Sequence, residues 1–276
     1  MNVLSLFDGI SCGQIALNRA GFKINKYYAS EIDKNSIKAT MDNYPNTIQL
    51  GNVNDIDFSK LGKIDFLCGG SPCQDISNLN KKKEGLKGNK SKLFYKFLEA
   101  KEKLNPKWWL LENVQGTDTQ VITKELKKRP LRLDSNWVTP QNRNRLYWTN
   151  IPVNSLPIRT KLKLKDILEP TVDKKYYQSQ GWNNWWLVNK EFQLSKSYST
   201  LNADKAGCLT ARMYASWNGN FIQDEFGIRR LTIVECERLQ TIPDGYTKSI
   251  SDIAAYKALG DCWTIDIIVH ILNHIK

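Results

Sequence analysis

Histidine is almost missing from this chain: in 276 residues the two imidazoles are His270 and His274. A mechanism that needs a histidine base elsewhere is excluded. Their i, i+4 spacing would place both rings on one helix face. Without a third ligand nearby, the pair reads as the polar edge of a last helix rather than a metal site. The six cysteines, at 12, 68, 73, 208, 236 and 262, form no C-x-x-C pair and match no zinc spacing. Free thiols in a reducing cytoplasm are the natural setting. No apolar run approaches the length that crosses a bilayer, and the opening Met1–Leu6 lacks the basic stretch of a signal peptide. The G-x-x-x-x-G-K-[ST] phosphate cradle is absent as well. Acidic residues are in deficit: 28 against 40 lysines and arginines, a net charge of +12. A balance this basic points to a polyanionic partner, nucleic acid before anionic membrane. The bland alternative is a soluble protein from a lysine-rich proteome.

What is present is a series of apolar runs that end on glycines and acids. Residues 2–7 read as a strand, followed by the turn Asp8-Gly9-Ile10-Ser11-Cys12-Gly13 and a helix from Gln14 to Ala20. A second strand, Tyr27–Ser30, ends at Glu31. A third, Ile48–Asn52, precedes Asp55, and a fourth, Ile64–Cys68, precedes Gly69-Gly70-Ser71-Pro72-Cys73-Gln74. A helix from about Ser91 to Leu104 leads to a fifth strand, Trp108–Leu111, ending at Glu112-Asn113-Val114. Strands alternating with helices at this spacing predict an α/β fold with a doubly wound, largely parallel sheet. In such sheets ligands bind at strand C-termini, where the acids and glycines fall. Alternation is poor from Pro152 to about Phe226 and returns as helices over Thr232–Gln240 and from Ile253 onward. The expected division is therefore 1–151 with 227–276 as one domain and 152–226 as a small second one.

Cys73 follows a strand end, behind two glycines and a proline, a placement that presents a sulfur from a fixed turn. Thiolate is a good nucleophile, although a free cysteine is more often a small buried hydrophobe. Glu112 ends the adjacent strand, so thiol and carboxyl are expected at one rim. Together they suit attack on an electron-poor ring, with sulfur adding while the acid serves a ring nitrogen. Gln141-Asn142-Arg143-Asn144-Arg145 precedes the apolar strand Leu146-Tyr147-Trp148. Read as strand, it points Gln141, Arg143 and Arg145 to one face, where the arginines could hold a carbonyl oxygen and a phosphate. An ordinary solvated basic strand is the competing reading. The turn Asp8–Gly13, with Glu31 placed to bridge ribose hydroxyls and Asp55 to accept from an adenine amino group, favours an adenosine cofactor. The competing reading is a structural turn with two helix-capping acids.

The ordered blocks Phe7-Asp8-Gly9, Glu31, Pro72-Cys73-Gln74, Glu112-Asn113-Val114, Gln141-x-Arg143-x-Arg145, Arg230-Leu231-Thr232, Glu235, Arg238-Leu239-Gln240 and Gly260 resemble the cytosine-C5 DNA methyltransferase family. The flanking residues are similar to its de novo branch and to phage and bacterial members. The resemblance implies a Rossmann-like S-adenosylmethionine-dependent methyltransferase sheet with residues 152–226 as a target recognition domain. It implies S-adenosylmethionine held by Phe7, Asp8, Gly9, Ser11, Gly13, Glu31, Ile32, Asp55, Ile56, Pro72, Asp261 and Trp263. It further implies that Cys73 adds to C6 of a flipped cytosine, that Glu112 serves N3, and that Arg145 holds O2. Arg143 is placed by it near the thiolate and a phosphate. Asp261 stands where the family usually has asparagine. An acid there could weaken the hold on the cofactor's carboxylate or favour its ammonium group, and both readings stay open.

The implied partner is double-stranded DNA, with no membrane, no metal and a monomer as the working form. Lys81, Lys82, Lys83, Lys87, Lys90 and Lys92 crowd the segment after Cys73 and read as a loop that tracks phosphate. Gln74, Ser77, Gln141 and Arg212 complete the DNA-contact candidates, and Asn183 and Asn184 have base-edge chemistry. Lys161, Lys163 and Lys165 alternate along a possible strand. The tryptophans of Gly181-Trp182-Asn183-Asn184-Trp185-Trp186 read as the core of the small domain rather than as wedges into DNA. An RNA cytosine methyltransferase and a catalytically silent DNA-binding relative are the alternatives. The chain is expected to work alone in a prokaryotic or phage-infected cytoplasm.

Overall fold

The computed structural model describes residues 1–71, 93–115, 119–195, 199–215 and 219–275. They divide into two compact units: 1–134 with 144–156 and 265–276, and 135–143 with 157–264. Residues 227–264, which the sequence reading grouped with the first domain, pack with the second unit. Those at 135–143 do too.

The first unit is built on a seven-stranded sheet in the order β3-β2-β1-β4-β5-β7-β6. Its chain order is β1 (Asn2–Leu6), α1 (Cys12–Arg19), β2 (Lys26–Ser30), α2 (Lys34–Asn43), β3 (Ile48–Gln49), β4 (Phe66–Gly70), α3 (Phe94–Leu104), β5 (Trp108–Asn113), α4 (Thr119–Leu126), β6 (Leu131–Asp134) and β7 (Asn144–Thr149). Neighbours from β3 to β5 pair parallel, and β7 runs antiparallel to both β5 and β6. The inner strands are apolar on both faces because helices cover both. Val3, Leu4, Leu6, Phe66, Leu67, Leu110 and Leu111 are buried accordingly. Helix α3 lays Phe94, Phe97 and Leu98 against this core, and the Phe97 ring meets Trp109 edge-on at 6.5 Å. Each such side chain contributes about 1.5–3 kcal/mol on burial.

Strand order reverses between β1 and β4, which makes their carboxyl ends the switch point of the sheet. Leu6 pairs with Ser30 on one side and Gly69 on the other, and Gly70 pairs with Glu112. The ends of β1, β2, β4 and β5 therefore lie side by side. Gly69 permits the close fit, since a Cβ there would stand 2.8 Å from the Leu6 carbonyl oxygen. The third strand is shorter than the expected 48–52. Gly51 turns the chain at φ +70°, and Asn52 caps a short 3-10 turn, Val53–Asp55, through the Asn54 amide.

The second unit contains α5 (Gln180–Val188), α6 (Lys190–Leu194), a three-stranded sheet of β8 (Thr200–Leu201), β9 (Asn220–Asp224) and β10 (Gly227–Arg230), then α7 (Ile233–Leu239) and α8 (Asp252–Asp261). The tryptophan-rich stretch is helical. Ser179 caps it, and Trp182 and Trp186, four residues apart, stack at 6.0 Å and pack on Phe221. Trp185 lies on the other side and is 44% exposed. Two of the three rings are thus core. Lys161, Lys163 and Lys165 do not alternate along a strand: Leu164–Ile167 is a 3-10 turn that buries Leu164. The chain ends its described part in the first unit with α9 (Ile265–Leu272), which packs on α1. His270 and His274 reach Ser155 through its carbonyl and hydroxyl oxygens. Among the described residues no helix is long and apolar enough to cross a membrane, and no cluster of potential metal ligands occurs.

Candidate active site

The turn after β1 places three residues in the left-handed region: Phe7 (φ 59°), Gly9 (φ 58°) and Ser11 (φ 57°). For phenylalanine and serine that conformation is costly, and backbone strain of this kind collects at functional sites. Side chains hold it in place. The Ser11 hydroxyl donates to Asp8 Oδ2, and the Tyr27 hydroxyl donates to Asp8 Oδ1 at 2.8 Å. Burial pushes the Asp8 carboxyl up to about 6; hydrogen bonds from Ser11, Ser5 and Tyr27 oppose the rise, and the Glu31 charge adds to it. Asp8 thus faces inward as the anchor of the turn. Gly13 is buried in the first turn of α1.

Glu31 joins this turn to the end of β2. Its Oε2 accepts from the Gly9 amide at 2.8 Å, and its Oε1 accepts from the amides of Ile32 (2.7 Å) and Asp33 (2.8 Å). Three backbone donors fix the carboxylate and leave about one lone-pair site, on Oε2, for a further donor. Beside it Ile32 is 72% exposed, an unusual position for a large aliphatic side chain. Asp55 is exposed at the end of its 3-10 turn, and Ile56 packs against the core. An oriented carboxylate, an exposed apolar side chain and a tight turn leading into a helix form a donor set that fits an adenosine group.

Across the switch point, β5 ends in Glu112 and Asn113. Glu112 is 8% exposed, and its Oε1 lies 3.2 Å from Arg145 Nε. Asn113 is buried, and its Nδ2 donates to Ser71 at the end of β4. Cys73 itself, with Pro72, Gln74, Ser77 and Lys81, Lys82, Lys83, Lys87, Lys90 and Lys92, lies outside the described residues. The Cys68 thiol is buried beneath the rim, and burial pushes it up to about 12, which makes it a packing residue.

The strand expected to carry Gln141, Arg143 and Arg145 on one face is not formed. β7 begins at Asn144, so Arg145 alone of the three is a strand residue. Arg143 is 3% exposed within the second unit. Its Nη1 donates to the Leu209 carbonyl at 2.9 Å and to Cys208 Sγ at 3.2 Å. Its Nη2 donates to the carbonyls of Gly260 (3.0 Å) and Cys262 (2.8 Å). Gln141 is fully buried, donating to the Leu239 carbonyl and accepting from the Leu209 amide at 3.0 Å each. Both residues knit loops to α7 and α8, a job that composition did not reveal. Asp261 is exposed at the end of α8, Trp263 is half-buried, and Arg212 is exposed in a turn. Asn183 is buried, whereas Asn184 is exposed and accepts from Gln180. Tyr27, which the sequence reading missed, carried no signal beyond its place in an apolar strand.

The family model described as C-5 cytosine-specific DNA methylase matches residues 1–276. A type II methyltransferase of Neisseria lactamica, M.NlaX, is 27% identical and covers 99% of this chain and 96% of its own. M1.ScrFI, a type II methyltransferase of Lactococcus lactis subsp. cremoris, is 28% identical over 94% of this chain and 74% of its own. Among solved structures, the Dnmt2 methyltransferase of S. pombe superposes with a TM-score of 0.80 at 18% identity. It covers 99% of this chain and 97% of its own, a likeness of fold.

Proposed function

We propose, for a chain that belongs to the C-5 cytosine-specific DNA methylase family, that Cys73 and Glu112 are the reacting pair at the switch-point rim and that Arg145 holds the carboxyl in place. Membership makes the protein a cytosine-C5 DNA methyltransferase. The observation that carries the assignment of residues is the pairing of Gly70 with Glu112 as the last step of the β4–β5 ladder. Cys73 follows Gly70 by three residues in the sequence, which supports assigning it to the same rim as Glu112.

The division of labour follows from the side chains. The Cys73 thiolate forms a bond to C6 of cytosine, and the Glu112 carboxyl gives a proton or hydrogen bond to N3, which takes up the displaced ring electrons. Electron density gathers at C5. S-adenosylmethionine, when bound, would supply the methyl group that bonds to C5, its sulfur–methyl bond breaking to leave S-adenosylhomocysteine. Loss of the C5 proton then lets the sulfur–C6 bond break, which regenerates the thiolate. Arg145 donates to the cytosine O2 as well as bracing Glu112.

Glu31 and Ile32 are proposed to take the ribose hydroxyls and one face of the adenine. Phe7, Gly9, Ser11 and Gly13 shape the turn beside them, Asp55 and Ile56 complete the adenine side, and Pro72, Asp261 and Trp263 serve the methionine end. The target base must leave the stack at a cost of a few kcal/mol, offset by phosphate contacts from the lysines after Cys73 and by Gln74, Ser77 and Arg212. Arg143 and Gln141 act by holding the second unit together, and residues 152–226 are proposed to read the target. The working protein is proposed to be a cytoplasmic monomer.

Incubating duplex DNA and, in parallel, RNA with tritiated S-adenosylmethionine, followed by bisulfite sequencing, tests the activity and locates the methylated cytosine. Label in 5-methylcytosine of duplex DNA is expected. Label confined to RNA would refute the DNA assignment.

A further inference from the structure

The end of the β4–β5 ladder carries a contact that the proposed chemistry has not used. Asn113, the last residue of β5, is 2% exposed. Its Nδ2 lies 3.1 Å from Ser71 Oγ and 3.3 Å from the Ser71 carbonyl oxygen, and its Oδ1 accepts from the Val114 amide at 2.8 Å. Ser71 is 5% exposed and directly follows the last residue of β4. The next residue in the sequence, Pro72, has no amide hydrogen to extend a ladder. A side-chain amide takes over where backbone pairing stops.

We propose that Asn113 is a positioning residue for methyl transfer: it sets the spacing between the strand end that carries Glu112 and the strand end that leads to Cys73. One amide group fixes both exits, with its nitrogen on Ser71 and its oxygen on Val114. No other side chain of this length supplies a donor and an acceptor together. Alanine removes both bonds. Aspartate keeps the acceptor for Val114 and can accept from the Ser71 hydroxyl, but it loses the bond to the Ser71 carbonyl. Reactions that depend on two groups converging on one ring are sensitive to such spacing, and a displacement of about 1 Å can cost about 100-fold in rate. Asn113 is buried with its amide engaged on Ser71 and Val114, so binding of DNA and cofactor should be spared.

This inference rests on the reading of Cys73 and Glu112 as the reacting pair. The test compares the wild-type chain with Asn113→Ala, Asn113→Asp, Ser71→Ala and the Asn113→Asp/Ser71→Ala double variant. Single-turnover methyl transfer and covalent capture on 5-fluorocytosine duplex are followed, with KM for DNA and for S-adenosylmethionine and a melting curve for each. Asn113→Ala is expected to slow both chemical readouts by about 30- to 100-fold with both KM values within about twofold. Asn113→Asp is expected to recover part of the rate, and Ser71→Ala to remove that recovery. An Asn113→Ala enzyme within threefold of wild type overturns the inference, as does a loss carried by KM alone. Should Asn113→Ala fail to fold, the Asp and Ser71 variants decide the same point: equal rates in Asn113→Asp with and without Ser71→Ala overturn it. If the wild-type chain itself forms no covalent product, the reading of the reacting pair fails instead.

Discussion

Arg145 Nε lies 3.2 Å from Glu112 Oε1 across two antiparallel strands, with both side chains largely buried. The geometry follows from register. Glu112 faces Tyr147, and Arg145, two residues before Tyr147, shares its face and meets the carboxyl on the diagonal. A partly buried pair of this kind orients its members more than it stabilises the fold.

Arg145→Ala is therefore expected to lower the single-turnover rate by about 100-fold or more, and Glu112→Gln by about 100- to 10,000-fold. DNA affinity, measured by filter binding, should change less than threefold in either variant. A loss of binding that parallels the loss of rate would place the pair in the DNA contact rather than in the chemistry.

Glu31 accepts from three backbone amides, on Gly9, Ile32 and Asp33. Glutamine has one acceptor oxygen where the carboxylate has two, so Glu31→Gln breaks either the link to the glycine turn or the link to α2. The affinity for S-adenosylmethionine, measured by calorimetry, is expected to fall about 10- to 100-fold. Unchanged affinity would remove Glu31 from the cofactor site.

Asp8 is expected to give the fold a pH dependence whose sign follows from its burial. Burial raises its carboxyl from 3.8 to about 6. The native state therefore holds the proton more tightly than the unfolded chain, and stability is lost as pH rises from about 3.8 towards 6. Between about pH 4.5 and pH 7.5 the contribution of this residue should fall by about 2 kcal/mol. Urea unfolding of wild type and Asp8→Asn at both pH values should show that difference, with the asparagine variant gaining on wild type at the higher pH. Parallel curves would contradict the assignment.

Arg143 is expected to matter for folding. Its guanidinium serves three carbonyls and a sulfur, and hydrogen bonds from a charged group are worth about 1.5–3 kcal/mol each. Arg143→Ala should lower the stability of the chain by roughly 3 kcal/mol or more in urea unfolding. Gly260→Ala should do the same, because a Cβ there would stand 2.2 Å from the carbonyl carbon of Thr210. An Arg143→Ala protein of normal stability but without methyl transfer would return that arginine to the reacting centre.

The rim was legible in the sequence because apolar runs end there on glycines and acids. β1, β4 and β5 begin and stop within two residues of their expected bounds. Glu31 and Glu112 were expected at strand ends for that reason, and the structure has them there. The second unit was harder to read. A period of two holds only inside a strand, and the segment carrying Gln141 and Arg143 is not one, so their alternation with Arg145 had no geometric meaning. Lysines 161, 163 and 165 misled in the same way, since the buried residue there is Leu164. Helix α5 was missed because glycine, asparagine and tryptophan are weak helix formers, and its stability comes from Trp182 and Trp186 against Phe221. The Asn113–Ser71 bond joins residues far apart in sequence, and no pattern within either segment announces it.

The central claim is that one sulfur attacks cytosine at the rim beside Glu112. Incubation with S-adenosylmethionine and a 5-fluorocytosine duplex, followed by peptide mass spectrometry, tests it most directly. The expected product is a DNA adduct on the peptide containing Cys73, absent in Cys73→Ser although that variant still binds the duplex. An adduct on another residue, or none with the duplex fully bound, would contradict the account.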